Sequence, residues 1–322
     1  MTSDDPSEGG TADSPGWRLF RGDHVAHEPP FPPAPGWRRF GAEADRPAER
    51  YVGTAEHADV INAAIHLRRP LLVTGNPGTG KTSLARVIAH ELSLGPVLRW
   101  SVNSRSTLQD ALYRYDAVGR LRESHLAREL GGDEAGIGTF VRLGPLGTAL
   151  VPRERPRVLL VDELDKGDAD LPNDLLTVFE DGTFEIPELS RLPEDEPRHR
   201  VMTADPGGRA EVTRGIVTCT EFPVVVITSN AEREFPAAFL RRCVRLDLPA
   251  PDPDRLREVV AAHLGAEAMA GAEDVLRTFL AREAGGLATD QLLNAVYLRG
   301  AGLDMSADHL VKSVLHQLGG TG

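Results

Sequence analysis

Gly75-Asn76-Pro77-Gly78-Thr79-Gly80-Lys81-Thr82 satisfies the pattern G-x-x-x-x-G-K-[ST], and its neighbours supply the context that the pattern requires. Before it, Leu71 to Thr74 is an apolar run of buried-strand length; after it, Thr82 to Leu94 spaces Leu84, Val87, Ile88 and Leu92 along one helical face. Glycines let backbone N–H groups approach a phosphate closely, and the N-terminus of the helix that follows favours an anion. The motif therefore assigns all eight residues to phosphate binding, with Lys81 at the β and γ phosphates and the Thr82 hydroxyl on Mg2+. The plainer alternative is a glycine-rich turn that happens to precede a helix, and the strand and helix on either side speak against it.

Working outward, Val158-Leu159-Leu160-Val161 is a second buried strand that ends in Asp162-Glu163. A carboxylate at a strand C-terminus suits metal binding, so Asp162 is expected to hold Mg2+ through its water shell. Glu163 is expected to polarise an attacking water, which implies hydrolysis rather than transfer to a bound acceptor. A third strand, Val224 to Ser229, delivers Asn230, an amide able to orient that water or simply to start a turn. Phe235 to Cys243 reads as a short helix ending in Arg241 and Arg242 before a fourth strand, Val244 to Leu248. Arginines there suit the helix dipole, and they also suit a finger against developing phosphate charge in a neighbouring subunit.

Strand-like runs alternating with helical patterns from about Tyr51 predict an α/β domain with a parallel sheet over 49–250. Helical patterns at Asp254 to Leu264, Ala272 to Glu283, Thr289 to Leu298 and Ala307 to Leu318, with Ser306 as N-cap of the last, predict a small all-helical domain over 251–322. Residues 1–48 are rich in Pro, Gly and acids without periodicity and read as a flexible tail, with Trp17 and Trp37 as docking points.

With 36 basic and 48 acidic residues the net charge is -12, which counts against a generic nucleic-acid binder. The acidity is local: residues 161–215 hold 15 acids and 6 bases, a net of -9. No apolar run is long enough to cross a bilayer, the N-terminus lacks the apolar region of a secretory signal, and two cysteines, Cys219 and Cys243, fit a reducing cytoplasm. His90-Glu91 lacks the second histidine of a zinc-protease helix, and Asp304-Met305-Ser306 fits a helix cap better than a metal motif.

Taken in order, these motifs resemble the AAA+ ATPase family, whose fold is a P-loop αβα sandwich followed by a helical lid. The resemblance covers roughly 49–322 and is strongest to MoxR-type and dynein-related members, through the phosphate loop, Asp162-Glu163-Leu164-Asp165-Lys166, Leu171 to Glu180 and Asp181 to Ile186. It assigns Asn230 as sensor 1 and Arg241 or Arg242 as the arginine finger, and it places Tyr51-Val52 against the base, with ordinary packing as the alternative reading. Insertions near 104–145, with Tyr113 to Leu121 as a hairpin-like element, and 187–221 fit the same branch. One departure stands out: Gly286 to Leu293 lacks the sensor 2 arginine, and Arg299 lies too far along to replace it.

The resemblance implies ATP and Mg2+ as cofactors, a hexameric ring, hydrolysis between subunits, and a protein client that the ring remodels. A separate von Willebrand A domain protein is a further implied partner, and the acidic stretch reads either as a surface for a client with basic segments or as a solvated loop. Two alternatives remain open: a nucleotide-switched scaffold with little turnover, and an NTPase motor of DNA restriction resembling McrB. The acidic charge and the lack of a DNA-binding module count against the second.

Overall fold

This computed structural model describes residues 19–20, 22, 24–38, 53–130, 135–193, 195, 197–282 and 288–301. Trp17, Tyr51-Val52, Glu194, Glu196, Gly286-Leu287 and the helix expected at Ala307 to Leu318 with its cap Ser306 lie outside the described residues. The chain divides into two compact units, one of Pro47–Ala250 and one that combines Met1–Arg46 with Pro251–Gly322.

The first unit opens with α1 (Ala55–Leu67), β1 (Leu71–Gly75), α2 (Lys81–Glu91) and β2 (Leu98–Ser101). An insertion follows, comprising α3 (Leu108–Leu112), β3 (Tyr113–Tyr115), α4 (Ala117–Leu130), β4 (Val141–Leu143) and α5 (Pro145–Ala149). Next come β5 (Val158–Asp162), α6 (Leu171–Asp181) and β6 (Thr183–Glu185), then α7 (Pro187–Ser190), β7 (Arg198–Met202), β8 (Arg209–Thr213) and β9 (Ile216–Thr218). The unit closes with β10 (Val224–Ser229), α8 (Ala237–Leu240) and β11 (Val244–Leu248).

The main sheet has the order β11-β1-β10-β5-β2 and all its pairs are parallel. Strands β5 and β10 are buried along their whole length, which is why residues 158–161 and 224–227 read as unbroken Val, Leu and Ile. One face of the sheet presents Leu71, Val73, Leu160 and Val226 to Ala64 of α1 and to Leu84 and Ile88 of α2. The other presents Leu72, Leu159, Val161 and Ile227 to Leu175 and Val178 of α6 and to Phe239 of α8. This is the expected αβα sandwich with a parallel sheet. Gly182 ends α6 in the left-handed region at φ 61°, its N–H donating to Val178 O at 2.9 Å.

A second, six-stranded sheet ordered β3-β4-β7-β8-β9-β6 joins the two insertions to each other. The hairpin-like element expected at Tyr113 to Leu121 is instead a strand followed by a helix. Asp116 is the reason: its Oδ1 accepts the Gly119 N–H at 2.7 Å while its own N–H donates to Phe140 O at 2.8 Å. That bond begins α4, a run rich in Ala, Leu, Arg and Glu, and β3 pairs antiparallel with β4 only beyond it. Arg157, just before β5, donates to both oxygens of Asp205 at 3.0 and 2.9 Å and to Pro96 O at 2.8 Å, tying the β7–β8 turn to the core. The guanidinium holds the Asp205 carboxyl below its ordinary value.

In the other unit, α9 (Pro253–Leu264), α10 (Ala266–Ala270), α11 (Glu273–Arg282) and α12 (Thr289–Gly300) share a core of Leu256, Val260, Met269, Leu276, Phe279, Leu292 and Val296. Asp252 caps α9 by accepting the Arg255 N–H at 2.7 Å. Trp37, one of the two expected docking points of the tail, packs against this core. Trp37 sits edge-on to the rings of Tyr297 and His263, with centroids 5.8 and 6.3 Å away, and Tyr297 Oη donates to Pro33 O at 2.7 Å. A large apolar ring with a nearby hydrogen bond is enough to fix an otherwise Pro-rich segment.

Candidate nucleotide site

Parallel order brings the C-terminal ends of β1, β5 and β10 side by side, the place where open α/β sheets bind ligands. The phosphate loop leaves β1 at Gly75, whose φ of 144° suits glycine, and a Cβ there would stand 2.3 Å from Leu248 O. Gly78 and Gly80 also take positive φ, and Gly80 is the residue from which α2 starts. Lys81 is 7% exposed, and its Nζ donates to Gly75 O at 2.6 Å and Asn76 O at 2.8 Å. Burial lowers its pKa, against the opposing pull of the Asp165, Glu163 and Asp162 carboxylates.

Asp162, 4% exposed, is the centre of a hydrogen-bonded group. Its Oδ1 accepts the Thr82 hydroxyl at 2.9 Å and the Thr228 hydroxyl at 2.8 Å. Its Oδ2 accepts Arg99 Nε at 3.1 Å and Nη2 at 2.5 Å. Glu163 turns the chain sharply at φ 60°, a conformation rare outside glycine, and its N–H donates to Thr228 Oγ1 at 2.9 Å. The Glu163 carboxylate pairs with Lys166 Nζ at 2.9 Å, which raises the lysine's pKa.

Asn230 reaches this group through its backbone. Asp165, buried at 4% exposure, accepts the N–H groups of Asn230 and Glu232 at 3.0 and 3.1 Å on Oδ2, and Asn230 Nδ2 donates to Glu232 Oε1 at 3.4 Å. Arg233 Nη1 adds a bond to Gly167 O at 2.8 Å, so the turn after β5 and the loop after β10 are clamped together.

Arg241 and Arg242 are placed elsewhere. They precede β11, whose register with β1 sets Val244 opposite Leu71 and Leu248 opposite Gly75. The arginines thus stand at the far end of β1 from the phosphate loop, about 13 Å along the strand at ~3.3 Å per residue. Arg242 pairs with Glu180, while Arg241 is exposed and its side chain makes no ion pair among the described residues.

Three residues of the site take their roles from contacts that the sequence does not signal. Thr228 falls level with Asp162 because Ile227 pairs with Val161 across the β10–β5 boundary, a fact available only once the strand order is known. Arg99 reaches Asp162 from β2, the edge strand beside β5. Asp165 lies in the motif Asp162 to Lys166, yet its clamp on Asn230 spans 65 positions of sequence.

For Mg2+, Thr82 and Asp162 offer two hard oxygen groups 2.9 Å apart, the donor chemistry that this ion accepts, with waters and phosphates completing its shell. Among the described residues no cluster of three or more His, Cys, Asp or Glu side chains could hold a metal by itself.

A parallel αβα sandwich with a glycine-rich loop between β1 and α2 and a buried carboxylate ending β5 defines a nucleotide-binding P-loop protein. Residues 70–243, more than half of the chain, match the family described as AAA domain (dynein-related subfamily), and the chain belongs to that family. Among solved structures, the chain is similar to a candidate ATPase from Cytophaga hutchinsonii at 15% identity, covering 67% of this chain and 52% of that one, with a TM-score of 0.39. It is also similar to NtrX from Brucella abortus in complex with ADP, at 16% identity, covering 82% of this chain and 55% of that one, with a TM-score of 0.40. The chain spans about half the length of these structures. No curated protein matches it.

Proposed function

We propose that the chain binds ATP with Mg2+ and hydrolyses it, as a MoxR-like ring whose subunits complete one another's sites and remodel a protein client. The observation that carries this reading is the hydrogen-bonded set of Thr82, Asp162, Thr228 and the Glu163 backbone N–H beside Lys81 at the strand ends. Lys81 turns from its loop carbonyls to the β and γ phosphates, and the loop's backbone N–H groups, which Pro77 lacks, cradle the rest. Thr82 and Asp162 would hold Mg2+, which would supply positive charge against that developing on the phosphates. Glu163 accepts the proton of the attacking water, and Asn230 orients that water from a loop fixed by Asp165. Because the arginines lie at the opposite end of β1, they serve the phosphates of a neighbouring copy, and a homo-oligomer, hexameric by the family pattern, is the working assembly.

ATP binding and turnover test this directly. Lys81→Ala is expected to lose nucleotide binding, whereas Glu163→Gln keeps it and loses turnover by about 10²- to 10⁴-fold. Equal hydrolysis rates in wild type and Glu163→Gln would overturn the assignment.

A scaffold with slow turnover is the second reading. In the described part of α12 no arginine occupies the first turn, and Arg299 at its end pairs with Asp274. Turnover that does not rise as the protein assembles would favour the scaffold.

A further inference from the structure

Asp162 accepts four donors, as many as its two carboxylate oxygens hold comfortably. Two are the hydroxyls of Thr82 and Thr228 on Oδ1. The other two come from the single guanidinium of Arg99, which therefore claims the whole of Oδ2. The Asp162 side chain is 6% exposed and that of Arg99 is 51% exposed, so the carboxylate is fixed while the arginine reaches it from the open edge of the sheet. Arginine does not give up its proton in a protein, so its charge at this position is permanent. A divalent ion held through Thr82 and Asp162 would add a second cation to the same carboxylate, and two cations a few ångström apart at a largely buried acid repel.

We propose that Arg99 is a positioning residue that competes with the divalent cation for Asp162 and so raises the Mg2+ concentration at which nucleotide loads. The inference rests on Asp162 holding the metal, as in the proposed function. It is opposite in sign to the other role such a pair could play, in which the arginine orients the carboxylate for the metal and its removal weakens metal binding. The exposed guanidinium can withdraw into solvent, and an incoming divalent cation then takes its place as counter-charge to the buried Asp162 carboxylate. Arg99 therefore acts as a removable counter-ion rather than as part of the buried framework.

The test is a Mg2+ titration of binding of a fluorescent, non-hydrolysable ATP analogue to full-length wild type, Arg99→Ala, Arg99→Gln and Arg99→Lys. Arg99→Ala and Arg99→Gln are expected to lower the half-saturating Mg2+ concentration about three- to tenfold, the range for losing one charge-assisted pair. Arg99→Lys keeps the charge and should stay within about twofold of wild type on the same reasoning. An unchanged or raised half-saturating concentration in both Arg99→Ala and Arg99→Gln overturns the proposal. If wild type binds no analogue at any Mg2+ concentration, the proposed function fails and this inference with it. Binding that is Mg2+-dependent but identical across the series sinks this inference alone.

Discussion

Thr228 is 1% exposed, and its one hydroxyl serves two parts of the site. It donates to Asp162 Oδ1 and accepts the N–H of Glu163, coupling the proposed metal-holding carboxylate to the backbone that aims the proposed base. Valine matches its shape and removes both bonds. Thr228→Val is expected to cost about 1–3 kcal/mol of stability, the usual cost of leaving a buried donor and acceptor unsatisfied. With the Glu163 turn loosened, kcat should fall about tenfold while nucleotide affinity stays within about twofold, since the phosphate loop is untouched. Single-turnover hydrolysis and thermal melting would check both, and an unchanged kcat would show that the hydroxyl does not position Glu163. Lys81, Thr82 and Asp162 were legible in the sequence because a phosphate loop and a strand-end acid are local patterns. Thr228, Arg99 and Asp165 were not, because each acts on a residue more than 60 positions away, or across a strand boundary, or both.

Among the elements, β5 and β10 announced themselves as unbroken apolar runs, a consequence of burial on both faces. The strands of the second sheet did not. In β8 only Ala210 and Val212 are buried, and in β7 only Val201, so each offers too few apolar positions to stand out from a polar loop. What holds that sheet to the core is partly ionic. Asp205 is paired with Arg157, which is buried, and Asp205→Asn should cost about 2–3 kcal/mol near neutral pH by leaving that guanidinium short of its counter-charge. The folded pKa of Asp205 lies below its ordinary 3.8, so the pair's contribution is complete above 3.8 and is lost as pH falls through the lower folded value. Melting temperatures across acid pH should therefore drop less steeply for Asp205→Asn than for wild type. Equal melting temperatures at neutral pH would show that the pair does not anchor the insertion.

At the scale of the whole molecule, charge and placement bear on assembly. Residues 161–215 carry a net of -9 out of -12, so the acidic residues are concentrated in the turn after β5, in α6 and in the second insertion. Under the proposed function, such a charge distribution opposes nucleic acid and suits a client with basic segments. Arg241 and Arg242 stand at the far end of β1 from Gly75, and under the proposed function a neighbouring copy is where they meet phosphates. Subunits carrying both Arg241→Ala and Arg242→Ala should be inactive alone, as should Lys81→Ala subunits. Mixed and shown to co-assemble, they should regain part of the wild-type turnover, because one supplies the phosphate loop and the other the arginine. Absence of any rescue in the co-assembled mixture would remove the arginines from the catalytic scheme. Among the described residues no helix is long and apolar enough to cross a membrane.

The sequence alone determined the fold class and the phosphate loop, because strand burial, helical periodicity and the G-x-x-x-x-G-K-T spacing are written in residues that are neighbours in the chain. Only the tertiary structure decided that the two insertions share one sheet, that Trp37 packs on Tyr297 and His263, and that Asp162 is saturated by Thr82, Thr228 and Arg99. Those contacts follow from strand order and register, which depend on how distant apolar faces bury one another. No local stretch of sequence carries that information.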